Sequence, residues 1–134
     1  MNEKEFNSKL EADFSAYLKK IGYPDGSFIF EPAIRVGEKI YRPDFLIIDP
    51  NNNERLAVFE VKGKNCNIES VKEKLNFYRN AIGGASISAF LATPSDVYSD
   101  QNPFNLFKLK DDGEFDKIDF RLFPSFFRCL LIKT

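Results

Sequence analysis

Three side chains have the types and the spacing to do chemistry together: Asp44 in Arg42-Pro43-Asp44-Phe45, and Glu60 and Lys62 in Val58-Phe59-Glu60-Val61-Lys62-Gly63. Between them lies Asp49-Pro50-Asn51-Asn52-Asn53, a cluster of turn-forming residues. A hairpin loop centred on Asn52 pairs positions whose numbers add to about 104, so Asp44 and Glu60 should face one another across neighbouring strands. Strand alternation then sets Lys62 on the Glu60 face and turns Val61 to the other. Two carboxylates so placed can hold Mg²⁺, with water and a phosphate completing its octahedron. The lysine can orient or help deprotonate a metal-bound water, or offset charge building on the phosphate. Glu60 also sits in the apolar run Leu56-Ala57-Val58-Phe59-Glu60-Val61, where a carboxylate is costly unless metal or lysine compensates it.

The sequence contains no histidine, which excludes Ser-His-Asp and Cys-His relays, histidine-ligated zinc and a histidine general base. Any hydrolysis must run on carboxylates, lysine and an oxygen-loving metal. Cys66 and Cys129 stand far apart, without zinc-knuckle or disulfide-scaffold spacing, and read as ordinary thiols. The net charge of −1 exerts no global pull on nucleic acid. Locally the charge is polarised. Lys62, Lys64, Lys72, Lys74 and Arg79 face only Glu69 and Glu73 in one stretch, and residues 111–119 carry five acids against Lys117. This suits a basic working face and an acidic back; the alternative is that both runs are solvated surface.

These residues need a scaffold. The 134 residues fit one domain over 1–134, and a 43% hydrophobic share with 15 Phe and 5 Tyr supplies a core. Residues 3–21 read as a helix through Phe6, Leu10, Phe14, Leu18 and Ile21, stopped by Gly22-Tyr23-Pro24-Asp25-Gly26. Strand-like residues run from Phe28 to Phe30 and on through Ile34 to Val36, with Pro32 marking an edge or a bulge. Gly37-Glu38 predicts a hairpin turn, and Ile40 to Ile48 and Leu56 to Val61 predict the two strongest strands, making a three-stranded antiparallel meander. A second helix spans about Ile68 to Ile82, ended by Gly83-Gly84. Ile87 to Ala92 predicts a buried strand followed by a turn region at Thr93-Pro94-Ser95-Asp96. Phe104 to Leu109 and Ile118 to Phe123 flank Asp111-Asp112-Gly113-Glu114 as a terminal hairpin. This order is that of an α/β layout. The charged N-terminus lacks a signal-like apolar segment and no run approaches bilayer-spanning length, which predicts a cytoplasmic protein without membrane contact.

The two motifs and the element order resemble the PD-(D/E)xK nuclease superfamily, and within it the N-terminal nuclease domain of type I restriction enzyme R subunits. The resemblance runs from the first helix to about Leu109. It implies a restriction-endonuclease-like αβββαβ core, a mixed sheet flanked by helices, with the C-terminal β-hairpin added. It implies further that Asp44 and Glu60 share a metal, that the Val61 carbonyl is another ligand, and that Lys62 is catalytic. Many members add a glutamate from the first helix, for which Glu11 is the candidate beside Phe14 and Leu18; the alternative is a solvated helix glutamate. The likeness to restriction subunits also implies Gln-x-x-x-Tyr on the second helix, where this chain has Lys74-Leu75-Asn76-Phe77-Tyr78. Lysine stands for glutamine there, and Tyr78 lies on the apolar stripe.

The expected activity is that of an endonuclease dependent on Mg²⁺, with Mn²⁺ able to substitute, cutting nucleic acid, DNA before RNA, in restriction or repair. Lys64, Lys72, Lys74 and Arg79 would contact phosphates. A homodimer or a separate recognition or motor partner would supply what a 134-residue chain lacks. The alternative is a catalytically silent module of the same fold that binds nucleic acid or a protein. A third reading, a protein-interaction domain using aromatics near Phe123 to Phe127, has only an apolar run interrupted by Pro124 behind it.

Overall fold

The computed structural model describes residues 3–82, 87–95 and 103–118. Helix α1 (Glu3–Lys20) buries Leu10, Phe14, Tyr17 and Leu18, which recur three and four residues apart on one stripe. Gly22, at φ 106°, ends it. Tyr23 N donates to Leu18 O at 3.0 Å and Gly22 N to Lys19 O at 3.2 Å, which satisfies the last carbonyls as Tyr23 enters the core beside Leu18.

Strands β1 (Phe28–Phe30), β4 (Phe45–Asp49), β5 (Glu54–Val61), β6 (Ser88–Pro94), β7 (Phe104–Leu109) and β8 (Phe115–Ile118) form one sheet in the order β1-β4-β5-β6-β7-β8. Among the described strands only β5 and β6 run parallel, joined by helix α2 (Ile68–Ile82), because parallel neighbours need a crossover connection. Strands β2 (Ile34–Val36) and β3 (Lys39–Tyr41) make a separate two-stranded sheet. Alternation splits the interior into two layers. Phe45, Ile47, Phe59, Val61, Phe90 and Ala92 pack with α1, whereas Leu46, Ile48, Val58, Ala89 and Leu91 pack with Val71, Leu75, Tyr78 and Ile82 of α2. Phe14 is the hub of the α1 layer, its ring 5.3 Å from those of Phe45, Phe59 and Phe104.

The fold is thus α/β with a mixed sheet flanked by two helices, and three expected elements differ in detail. The apolar run from Ile40 to Ile48 is not one strand. It breaks at 42–44, where Pro43 has no N–H to give a ladder, and its first part becomes β3, which pairs back onto β2 across Gly37 at φ 64°. The meander therefore consists of β1, β4 and β5, with the β2–β3 hairpin spliced between its first two strands. Thr93 and Pro94 do not turn but extend β6, Pro94 pairing with Phe104 as the strand's last residue. In the terminal hairpin the second strand begins at Phe115, because Lys110 N bonds Glu114 O at 2.8 Å and closes a tight turn with Gly113 at φ 87°. The expected stops at Gly83-Gly84 and Asp96, and residues 119–123, lie outside the described residues. Among the described residues no helix is long and apolar enough to cross a membrane.

Candidate functional site

Strands β4 and β5 pair Phe45 with Phe59, Leu46 with Val58 and Ile47 with Ala57, each sum being 104. Towards the turn the register slips, Ile48 pairing with Arg55 and Asp49 with Glu54, so that Leu56 is an extra residue bulged out of β5. In the other direction the ladder ends and side chains take it over. Asp44 N donates to Glu60 Oε2 at 2.9 Å, and Val61 N donates to Asp44 Oδ2 at 2.7 Å. Each carboxylate is therefore anchored by the other's strand. The Asp44 carbonyl accepts from Glu31 N at 2.9 Å, and Lys62 N donates to Ala92 O at 3.0 Å, fixing the backbone on either side.

Lys62 Nζ lies 3.7 Å from Asp44 Oδ2 and 3.9 Å from Glu60 Oε1. From α2, Lys74 Nζ comes within 3.7 Å of the same Glu60 Oε1. The Glu60 side chain is 1% exposed, and its desolvation, followed by repulsion from Asp44, pushes its pKa up to about 7 against the attraction of Lys62. Glu11 lies against Asp44. Burial first, then Asp44 and Glu31, push its carboxyl up to about 7 as well. Burial lowers the proton affinity of Lys62, but Glu60, Asp44 and Glu11 together outweigh this and raise it. Tyr78, one turn beyond Lys74 on α2, is buried and pushed up to about 12 by desolvation and by the same two carboxylates.

Asp44, Glu60, Lys62 and Glu11 thus meet at one corner, where the open ends of β4 and β5 pass the first helix. Three carboxylates face two ammonium groups there, and burial first, then carboxylate repulsion, raises the proton affinities of Glu60 and Glu11. The donors are hard oxygens, so the set fits Mg²⁺ or Mn²⁺ rather than a softer metal. No group of three or more His, Cys, Asp or Glu side chains in metal-holding geometry occurs among the described residues. Asp44 and Glu60 are the side-chain candidates, and a further protein oxygen would come from the main chain, at Val61.

The basic residues divide. Lys64 is exposed beside the site. Lys72 is engaged by Glu114 at 2.8 Å and Glu69 at 3.3 Å, with Nζ 5.8 Å above the Phe115 ring. Arg79 corrects the expectation of a phosphate contact, because it is buried and donates to Leu109 O at 3.1 Å, Lys110 O at 3.4 Å and Asn76 Oδ1 at 3.1 Å. The end of β7 leaves carbonyls to satisfy beneath α2, and the planar guanidinium does so. Two neighbours of the site were not legible in the sequence as such. Glu31 sits at φ 46° with its N–H on Asp44, and no motif announces it. Lys74 as a partner of Glu60 had one signal, its place four residues before Tyr78 on the same helix face.

A cavity of about 640 Å³ opens beside this corner, between α1 and the segment after β5, and Lys62 borders both. Compared with known proteins, the chain matches no family model, and no curated protein matches it significantly.

Proposed function

We propose that this chain is a divalent-metal-dependent endonuclease of the PD-(D/E)xK type, with the restriction-endonuclease-like core of that superfamily, cutting phosphodiester bonds of DNA. The observation that carries the reading is the reciprocal anchoring of Asp44 and Glu60 with Lys62 Nζ within 3.9 Å of both. Ion-pairing scaffolds do not require two carboxylates aimed together in a buried corner, whereas a hard cation does.

In this reading Asp44 and Glu60 would hold Mg²⁺, joined by the Val61 carbonyl. That carbonyl faces the same neighbour as the Val61 N–H, which is on Asp44. When bound, such a cation acidifies water and neutralises phosphate oxygens. Lys62 is held as an ammonium by its carboxylate neighbours, so it serves as a donor to a phosphate oxygen gaining charge, not as a base. Glu11, with a proton affinity near neutrality, is suited to accept a proton from the attacking water or to bind a second cation. Lys64 and Lys74 would position the backbone of the nucleic acid. Sequence recognition, or a motor, would come from a second copy or another protein, in restriction or repair.

Cleavage of supercoiled plasmid, single-stranded DNA and RNA in Mg²⁺ or Mn²⁺ tests this, with Lys62→Ala and Asp44→Ala purified in parallel. Metal-dependent nicking of DNA that both substitutions abolish is the expected result. Absence of metal-dependent cleavage of every substrate, or cleavage unchanged in both variants, would overturn it.

One observation favours a second reading, a catalytically silent module that binds nucleic acid. Glu60 Oε1 is flanked by Lys62 and Lys74 at 3.9 and 3.7 Å, which compensates its charge from within the protein. Such a module would show salt-sensitive binding without turnover.

A further inference from the structure

The cavity beside the carboxylate corner shares Lys62 with it, and the rest of its lining is not used by the hydrolytic chemistry. Its volume of about 640 Å³ falls in the range of roughly 300–1,000 Å³ typical of small-ligand pockets. Leu10 and Phe104 make an apolar floor, both of them buried. Phe6, although on the apolar stripe of α1, is 41% exposed and forms one wall. The edge of its ring abuts Gly63, where a Cβ would come within 3.0 Å of Phe6 Cε1, so the absence of a side chain at 63 is what leaves room for the ring. Lys62 and Lys64 stand at the rim, Lys9 and Asp13 also line the cavity as an ion pair at 3.2 Å, and the amides of Asn7 and Asn65 offer both donors and acceptors.

An aromatic wall, an apolar floor, amides and, with Lys9 paired to Asp13, a net surplus of two lysine charges are the parts that hold a nucleobase with its phosphate. We propose that this cavity receives one unpaired nucleotide of the strand being cut, its base on Phe6 and its phosphate at the Lys62–Lys64 rim. The placement next to the scissile bond rests on the nuclease reading, through Lys62, whose Nζ is 3.7 Å from Asp44 Oδ2. A base inside a duplex cannot enter a pocket of this kind without leaving its stack. The substrate class is therefore single-stranded, flapped or frayed nucleic acid, and intact duplex is the poorer ligand.

Binding measured without cleavage separates this inference from the nuclease reading. Fluorescence polarisation in EDTA would compare a labelled oligothymidylate of roughly 12 nucleotides, an oligouridylate of the same length and the matching DNA duplex. The single strands should bind more tightly than the duplex, and the stronger of the two reports whether DNA or RNA is the source. Phe6→Ala should weaken single-strand binding by about tenfold, the loss of one base–aromatic stack, with little effect on duplex. Phe6→Tyr should restore it. Phe6→Leu keeps an apolar side chain on Gly63 without a ring and should behave as Phe6→Ala, which answers any loss of fold in the smaller variant. Lys64→Ala should flatten the salt dependence of binding by about one phosphate contact. Equal or tighter duplex binding, or single-strand affinity unchanged in both Phe6→Ala and Phe6→Leu, would overturn the proposal. A protein that prefers single strands by way of Phe6 yet never cleaves would sink the nuclease and leave the pocket standing.

Discussion

The two ends of the β4–β5 pair each carry two facing acids, and they behave differently. At the turn, Asp49 pairs with Glu54; Asp49 Oδ1 accepts from Asn51 N at 3.0 Å, its carbonyl accepts from Asn53 N at 2.7 Å, and Glu54 is exposed. At the open end, Asp44 and Glu60 are both buried, each holds a backbone amide of the other strand, and two lysines attend them. The same residue types in the same hairpin thus build a turn in one place and a buried acidic corner in the other. What separates them is their partners: turn amides hold the buried Asp49 while Glu54 lies exposed, whereas in the second pair desolvation with repulsion from Asp44 pushes Glu60 up to about 7.

The sharpest way to break this contrast is activity. Lys62→Ala should lower metal-dependent cleavage by about 10²–10³-fold, in line with loss of one charge-stabilising donor. Asp49→Ala should leave the rate of the folded protein unchanged. Equal loss in both would mean that the two ends act as one structural unit. Stability in EDTA gives the next largest contrast. Glu60→Gln removes a charge that folding has desolvated, so at pH 8 it should stabilise the metal-free protein, on the order of 1–3 kcal/mol. Asp49→Ala loses a turn hydrogen bond and should destabilise by about 1 kcal/mol. Denaturant titration of both variants reads the opposite signs directly.

The pH dependence follows from the same asymmetry. Glu60 and Glu11 are raised from 4.5 to about 7, so between those values the folded chain binds more protons than the unfolded one. Stability from these groups grows as pH falls from 8 towards 5 and is lost as pH rises through 7. Without metal, the melting temperature should be higher at pH 6 than at pH 8 by a few degrees. Mg²⁺ should raise it more at pH 8, since the cation competes with those protons. A melting temperature that instead climbs steadily with pH in EDTA would contradict the charge balance assigned to the corner.

Much of this corner was legible in the sequence, and for a definite reason. A run of five turn formers fixed the hairpin centre, and alternation carried the register to Asp44 and Glu60. The one-residue slip at Leu56 lies between the turn and the matched pairs, yet the pairs on the site side still sum to 104. The α2 boundaries were equally plain, since Ile68, Val71, Leu75, Tyr78 and Ile82 repeat at helical spacing. The break at 42–44 was not, because Ile40 to Ile48 is apolar enough to read as one strand and only the lost N–H of Pro43 divides it. Arg79 was misread for a similar reason. A basic residue in a basic stretch looks solvated until the fold sets two strand-end carbonyls beneath it.

The bond from Val61 N to Asp44 Oδ2 has a consequence for how the corner can be watched. Most amides in a sheet are shielded by a neighbouring carbonyl, which is fixed in the backbone. The Val61 proton is shielded by a side-chain carboxylate, so its exchange with deuterium depends on the orientation of Asp44 as well as on strand opening. A single isotope-exchange signal, at the end of a buried strand, would thus report whether the two acids are still facing each other while the rest of the domain stays folded.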